Sequence, residues 1–190
     1  YTWTLRRGVR ARGRHRRACR VEPIPILFCG PLLHRLGEAF IPDLGGCRIG
    51  DRPIDYHLEI LRQFGAVVDK REAGIHIRAP RRLQGTKITL PYPSVGATEQ
   101  LLLTAVRAEG ITELSNAAIE PEIMDLINVL QKMGAIISVD TDRVIRIEGV
   151  DRLTGFQHTA LADRIEAASW RPRPWRPAAT STYAAPPSRR

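Results

Sequence analysis

The sequence predicts an α/β protein built from repeated units, each combining a helix with strands of a mixed sheet. Two observations lead to this prediction. From about residue 24 to residue 170, short runs rich in β-branched residues alternate with amphipathic helical patterns. Within this stretch, segment 54–68 recurs as segment 123–137, and after one inserted residue the match resumes at an offset of 70. Such a period indicates one supersecondary unit used twice.

Each copy has the pattern of a helix followed by two strands. In the first copy, Ile54, Leu58 and Leu61 share one helical face, and Gly65 stands where a glycine ends a helix. Two short strand-forming runs follow this glycine. The corresponding positions of the second copy are Ile123, Ile127, Leu130 and Gly134.

Between the copies, a strand ends at Leu90, a helical pattern runs from Ala97 to Glu109, and Gly110 ends it. A strand from Ile111 to Leu114 follows. The predicted order is therefore helix, two strands, strand, helix, strand, helix and two strands.

The net charge of +9 does not indicate a nucleic-acid-binding protein, because it comes from the two ends. Residues 1–20 and 171–190 are rich in arginine and contain no acidic residue, so residues 21–170 have an excess of acidic side chains. No stretch approaches the roughly 18 apolar residues of a membrane span. We expect neither a nucleic acid nor a membrane as partner; a nucleic-acid binder that uses its basic ends is the alternative.

The cysteines indicate neither a disulfide framework nor a zinc site. There are three, Cys19, Cys29 and Cys47, an odd number with no CxxC spacing. This usage favours a reducing, cytoplasmic compartment, and we predict no metal.

The loop 45–53 has the composition of a reactive site. It places Cys47 among three glycines and two arginines. Glycine allows close approach of the backbone to a ligand, and nearby guanidinium groups favour a thiolate and bind phosphate or carboxylate. The alternative is a surface loop with an inert cysteine, and the spacing leaves both open.

Segment 90–99 has the pattern of a helix start that could hold an anion. Two prolines turn the chain, Ser94 can cap the helix, and the backbone N–H groups of Ser94, Val95 and Gly96 would point at a ligand such as a diphosphate. An ordinary helix cap explains the same residues. Two further polar segments, 52–57 and 116–122, are also explained as ordinary helix starts. A third polar helix start, 163–166, contains an Asp-Arg pair, which is usually a surface ion pair.

Five motifs together resemble one family, the UDP-N-acetylglucosamine 1-carboxyvinyltransferases, which are enolpyruvyl transferases. The resemblance extends from about residue 26 to residue 170. The motifs are Gly45–Pro53, Pro93–Thr98, Asn116–Glu122, Ile147–Val150 and Asp163–Glu166.

The resemblance implies an enolpyruvate transferase-like fold, an inside-out α/β barrel in which mixed sheets surround buried helices, here incomplete. It implies transfer of the enolpyruvyl group of phosphoenolpyruvate to the 3-hydroxyl of UDP-N-acetylglucosamine, with release of phosphate. This is the first committed step of peptidoglycan synthesis, a cytoplasmic process of cell wall biogenesis, cell shape and division. The two substrates are the implied partners, and no cofactor is implied.

The resemblance also implies roles for individual residues. Cys47 matches a loop cysteine that donates a proton to the enol carbon and can form an adduct with phosphoenolpyruvate. Arg52 matches an arginine that contacts substrate, and Asp163 and Arg164 match polar residues near the cleft between two domains. The implied nucleotide-sugar contacts are Pro53, Ile54, Asp55, Tyr56 and His57, and Tyr92, Pro93, Ser94, Val95 and Gly96.

Other parts of the family pattern have no match in this chain. A lysine–asparagine pair that contacts phosphoenolpyruvate and the aspartate that acts as general base have no counterpart, and Pro23 stands where a substrate arginine is expected. We therefore expect a weakly active or inactive chain. The alternatives are a non-catalytic remnant that binds a nucleotide sugar, and a shikimate-pathway enolpyruvyl transferase, which would lack the Gly-Gly-Cys loop.

The predicted organisation has four segments. Residues 1–22 form a disordered basic segment, 23–160 a partial catalytic domain, 161–170 the start of a second domain, and 171–190 a disordered tail rich in proline and arginine. The abrupt change of composition after Trp170 is typical of a GC-rich message read out of frame, so we expect both ends to be aberrant.

Overall fold

The computed structural model describes residues 24–42, 54–71 and 74–169. The helices are a 3-10 turn at Ile24–Phe28, α1 (Cys29–Leu36), α2 (Asp55–Gln63), α3 (Val95–Ala105), α4 (Pro121–Lys132) and α5 (Arg164–Ser169). The strands are β1 (Glu38–Pro42), β2 (Val67–Arg71), β3 (Gly74–Arg78), β4 (Lys87–Thr89), β5 (Ile111–Ser115), β6 (Ile136–Val139) and β7 (Ile145–Glu148). The chain divides into two compact units at residues 158 and 159, and α5 belongs to the second.

The strands of the first unit form two sheets. One has the order β1-β3-β2 and is antiparallel throughout. The other has the order β4-β5-β7-β6, in which β4 runs parallel to β5 and the remaining pairs are antiparallel. The second sheet is therefore mixed, as the sequence predicts.

The repeat is present in the backbone hydrogen bonds as well as in the sequence. Gly65 and Gly134 follow α2 and α4 with φ of 96° and 98°, a left-handed conformation that suits glycine. The next residue donates back into the helix in both copies, at 3.0 Å from Ala66 to Leu61 and 2.9 Å from Ala135 to Leu130. The register of the following strands also corresponds, with Val67 opposite Arg78 and Ile136 opposite Glu148.

Helix α3 lies at the centre of the first unit. It packs against α1, α2 and α4, and it is buried on almost all sides, with Leu101, Leu102 and Ala105 fully inaccessible. Side chains on the outer faces of the sheets, such as Val67 and Ile136, remain exposed. Helices inside and sheets outside is the inside-out arrangement that the resemblance implies, and the predicted fold class is confirmed.

The predicted end of the central helix is wrong. The sequence pattern continues to Glu109, whereas α3 ends at Ala105. The N–H of Glu109 donates to Leu83 at 2.8 Å, and its carbonyl accepts from Gly85 at 2.7 Å. These two hydrogen bonds, to residues more than 20 positions earlier, replace the intrahelical hydrogen bonds that would continue the helix.

The first elements of the described region have no counterpart in the predicted order. Helix α1 ends at Gly37, whose φ is 74°, and β1 follows at once and pairs with β3. The segments 1–22 and 171–190, predicted to be disordered, lie outside the described residues. None of the helices in the described ranges has the length and apolar character needed to cross a bilayer.

Candidate functional site

The N-terminus of α3 is capped by Ser94, as the sequence predicts. Its Oγ accepts from the Ala97 N–H at 3.4 Å, and its carbonyl accepts from the Thr98 hydroxyl at 2.9 Å. The N–H of Ser94 itself is not free, because it donates to the Tyr92 carbonyl at 2.7 Å. That part of the predicted anion site is wrong. The N–H groups of Val95 and Gly96 in the first turn have no partner within the helix, since helix geometry offers them none.

The motif 116–122 lies against this helix start. The Thr98 hydroxyl accepts from the Ala118 N–H at 3.0 Å, and both residues are fully buried. The Asn116 side chain donates to the Leu90 carbonyl at 2.8 Å, and Asn116 adopts a φ of 57°, which asparagine tolerates better than most residues. Two motifs that are 20 residues apart in sequence are thus fixed to each other.

Helix α2 brings His57 to the same place. A Cβ atom added at Gly96 would lie 3.2 Å from Cε1 and 3.2 Å from Nε2 of His57, so the imidazole lies directly over this glycine. Burial lowers the pKa of His57, and an interaction with the Gln100 side chain partly opposes the shift. At neutral pH the ring is therefore uncharged.

The other predicted residues of these stretches surround the helix start or face solvent. Ile54 is half-buried, Asp55 and Tyr56 are exposed, and Tyr92 is exposed on the opposite stretch. Asp55 lies 3.8 Å from Lys70, but both side chains are largely exposed, so the pair contributes little stability. Pro93, Ser94, Val95 and Gly96 are of intermediate exposure.

The remaining predicted site residues lie either outside the described residues or in the second compact unit. Cys47, Arg52 and Pro53 lie outside the described residues. Asp163 and Arg164 belong to the second compact unit, where Asp163 caps α5: its Oδ1 accepts from the N–H of Ile165 at 2.8 Å and of Glu166 at 3.1 Å.

Sequence reasoning missed three polar residues of α3. Thr98 and Gln100 are fully buried, and Glu99 is partly buried, with a pKa raised first by burial and then by the nearby charge of Glu122. The available signal was their position in a helix whose remaining residues, apart from Thr104, are apolar. Among the described residues, no group of three or more histidine, cysteine or acidic side chains could hold a metal.

Cys29 on α1 is expected to be unreactive. It is a free, fully buried cysteine, and burial raises the pKa of its thiol to about 12, so almost no thiolate exists near neutral pH. Iodoacetamide at pH 7.5 should leave Cys29 unmodified in the folded chain and modify it in urea, as measured by peptide mass spectrometry. Equal labelling rates in the two conditions would contradict the burial. The same experiment compares Cys47 with Cys29.

The sequence profile of the EPSP synthase (3-phosphoshikimate 1-carboxyvinyltransferase) family matches residues 26–171. Among curated proteins, the chain is 54% identical over 152 residues to a UDP-N-acetylglucosamine 1-carboxyvinyltransferase of Protochlamydia amoebophila, covering 77% of this chain and 33% of that protein. It is 55% identical over 146 residues to the Acidiphilium cryptum protein of the same name, covering 76% and 35%. The chain thus spans about a third of the length of these relatives. The resemblance drawn from the motifs is confirmed.

Solved structures show the same fold. The enolpyruvyl transferase NikO from Streptomyces tendae superposes with a TM-score of 0.64 at 23% identity, covering 74% of this chain and 34% of that one. EPSP synthase from Acinetobacter baumannii gives 0.56 at 21% identity, covering 68% and 29%.

Proposed function

Because the chain belongs to the EPSP synthase family of enolpyruvyl transferases, we propose that it forms the nucleotide-sugar side of a site that transfers an enolpyruvyl group to UDP-N-acetylglucosamine. The proposal includes the cytoplasmic, peptidoglycan-forming role that the resemblance of the motifs implies, and relatives with the corresponding enzyme name are about half identical over the aligned residues. The donor is phosphoenolpyruvate, and the products are the enolpyruvyl ether and phosphate.

The proposed reaction is an addition followed by an elimination. The 3-hydroxyl of the sugar gives its proton to a general base as its oxygen adds to C2 of phosphoenolpyruvate, and C3 gains a proton from an acid, which gives a tetrahedral intermediate. Loss of phosphate and of a proton from C3 then restores the double bond. Cys47 is the proposed proton donor to C3, in keeping with the arginines and glycines around it in the sequence. Arg52 is the proposed contact to anionic substrate groups.

One observation carries the proposal, the convergence of three motifs at the start of α3. His57 lies over Gly96, and Thr98 joins this turn to Ala118. The N-terminus of a helix, with N–H groups that lack intrahelical partners, favours an anion such as a diphosphate. The neutral imidazole and the exposed Tyr56 and Tyr92 add polar and aromatic surface around it.

Binding is the property to test in the 190-residue chain, since the general base and several phosphoenolpyruvate contacts are unmatched in it. Isothermal titration calorimetry with UDP-N-acetylglucosamine should give saturable heat, and shikimate 3-phosphate should give none. Gly96→Ala should weaken binding at least about tenfold, because the new methyl displaces the His57 ring and narrows the helix start.

Gly155→Ala is the matched control. A Cβ at Gly155 would meet nothing within 4 Å, so affinity should stay at the level of the unmodified chain. A folded chain that gives no heat with UDP-N-acetylglucosamine, or equal affinities for both alanine variants, would refute the proposed site. Saturable heat with shikimate 3-phosphate alone would instead favour the shikimate-pathway alternative.

A further inference from the structure

Gln100 is a buried polar residue whose amide is held in one orientation. It lies on α3 with no solvent exposure. Its Nε2 donates to the Thr104 hydroxyl at 3.3 Å, and that hydroxyl donates to the backbone carbonyl of Gln100 at 2.7 Å. With the amide nitrogen directed at Thr104, Oε1 is directed away from it. No hydrogen-bond donor reaches Oε1 among the described residues.

Thr104 is itself fixed by α1. The His34 imidazole donates from Nε2 to the Thr104 carbonyl at 2.7 Å. The Thr104 side chain packs so closely on Gly30 that a Cβ at that glycine would overlap its hydroxyl. The Gln100 amide therefore has little freedom to rotate, and the network extends from α1 through α3 towards α2.

His57 presents the complementary unpaired atom. Its Nδ1 is buried and has no partner among the described residues, although the Gln100 side chain interacts with the ring. Gln100 lies one helical turn beyond Gly96, the residue under the imidazole, so the two side chains share one face of α3. Buried donors and acceptors are costly when unpaired, and one hydrogen bond from Nδ1–H to Oε1 would satisfy both atoms. The opposite nitrogen, Nε2, lies over Gly96 at the start of α3.

We propose that Gln100 is a positioning residue for His57: its Oε1 accepts from Nδ1–H and so fixes the tautomer in which Nε2 is an acceptor at the nucleotide-sugar site. The ligand part rests on the proposed function. A neutral Nε2 accepts a hydrogen bond from a hydroxyl or an imide N–H group, and a phosphate oxygen offers no such donor. His57 therefore selects the sugar or base of the ligand, and the helix start holds the diphosphate.

The tautomer is measured directly by ¹⁵N NMR of the histidine side chains in the full chain. The signal of His57, one of five histidines, is assigned by its loss in His57→Gln. In the unmodified chain His57 should show the neutral pattern with the proton on Nδ1. Gln100→Leu, which removes the acceptor at similar size, should shift His57 towards the Nε2–H tautomer and weaken binding of UDP-N-acetylglucosamine about tenfold. Gln100→Asn keeps an amide oxygen, so it should restore part of the Nδ1–H population and part of the binding affinity.

Gln131→Leu is the matched control, because Gln131 lies on α4 and its side chain donates to the Ile137 carbonyl of β6 at 2.9 Å. It should change neither the tautomer nor the affinity. A proton on Nε2 in the unmodified chain overturns the proposal without any variant, as does an unchanged tautomer in Gln100→Leu. The tautomer could behave as expected although neither the unmodified chain nor any variant binds the nucleotide sugar. That result would refute the ligand part together with the proposed function, and the pairing of Gln100 with His57 would stand.

Discussion

Gly149→Ala is expected to lower the free energy of unfolding by about 4 kcal/mol or more, the largest effect of a glycine-to-alanine change among the described residues. The new Cβ would overlap the backbone carbonyl of Ala108. No side-chain rotation relieves such an overlap, because the obstacle is backbone. Gly149 is also held in place, since its N–H donates to Gly110 at 3.0 Å and the next N–H donates from Val150 to Val106 at 2.9 Å.

The first repeat explains why this clash is peculiar to the second. Ala79 occupies the position equivalent to Gly149, and its N–H donates to Gly37 at 2.8 Å in the same way. There, a single residue joins α1 to β1, whereas five residues join α3 to β5. The additional segment contains Ala108 and fills the space that the Ala79 side chain occupies in the first repeat.

Urea unfolding and thermal melting followed by circular dichroism measure the effect. A loss of this size corresponds to a fall in Tm of about 8–16 °C for a chain of this length. Gly155→Ala, whose methyl meets nothing within 4 Å, should change stability by less than about 0.5 kcal/mol. Equal stability of the two variants would mean that the close approach at Gly149 does not exist in solution.

Phe64→Ala is expected to lower the free energy of unfolding by about 3–5 kcal/mol. Phe64 is the largest fully buried side chain among the described residues and ends α2, where its carbonyl also accepts from Gln84 at 3.1 Å. Truncation removes most of its apolar surface and leaves a cavity between α2 and its neighbours. The backbone hydrogen bond to Gln84 is retained, so the loss reports packing alone.

Met133→Ala is the control, because Met133 is the equivalent residue of the second repeat. Its carbonyl accepts from Thr154 at 2.8 Å, but its side chain is only partly buried. The loss should therefore be clearly smaller than for Phe64→Ala in the same urea titrations. A larger loss of stability in Met133→Ala than in Phe64→Ala would contradict the deeper burial of Phe64.

Much of the fold follows from sequence periodicity alone. The helix and strand patterns of the two copies, and the glycines that end α2 and α4, depend on neighbours a few residues apart, so they can be read locally. The motifs were sufficient to indicate the family and the stretches around His57 and Ser94. The pairing of β1 with β3 joins residues 32 to 40 positions apart, and no local pattern specifies it.

The sequence by itself thus determined the order of the elements from α2 to β7, the repeat and the family. Only the tertiary structure decided that α3 ends at Ala105, because the backbone N–H and carbonyl of Glu109 form hydrogen bonds with Leu83 and Gly85. It alone decided that the Ser94 N–H is used within its own turn, and that His57 meets Gly96 and Gln100 across two helices. For Glu109 and His57 the physical reason is that hydrogen bonds and contacts between distant segments compete with local preference. The Ser94 bond is local, to a carbonyl two residues earlier, and it depends on how the two prolines turn the chain before α3.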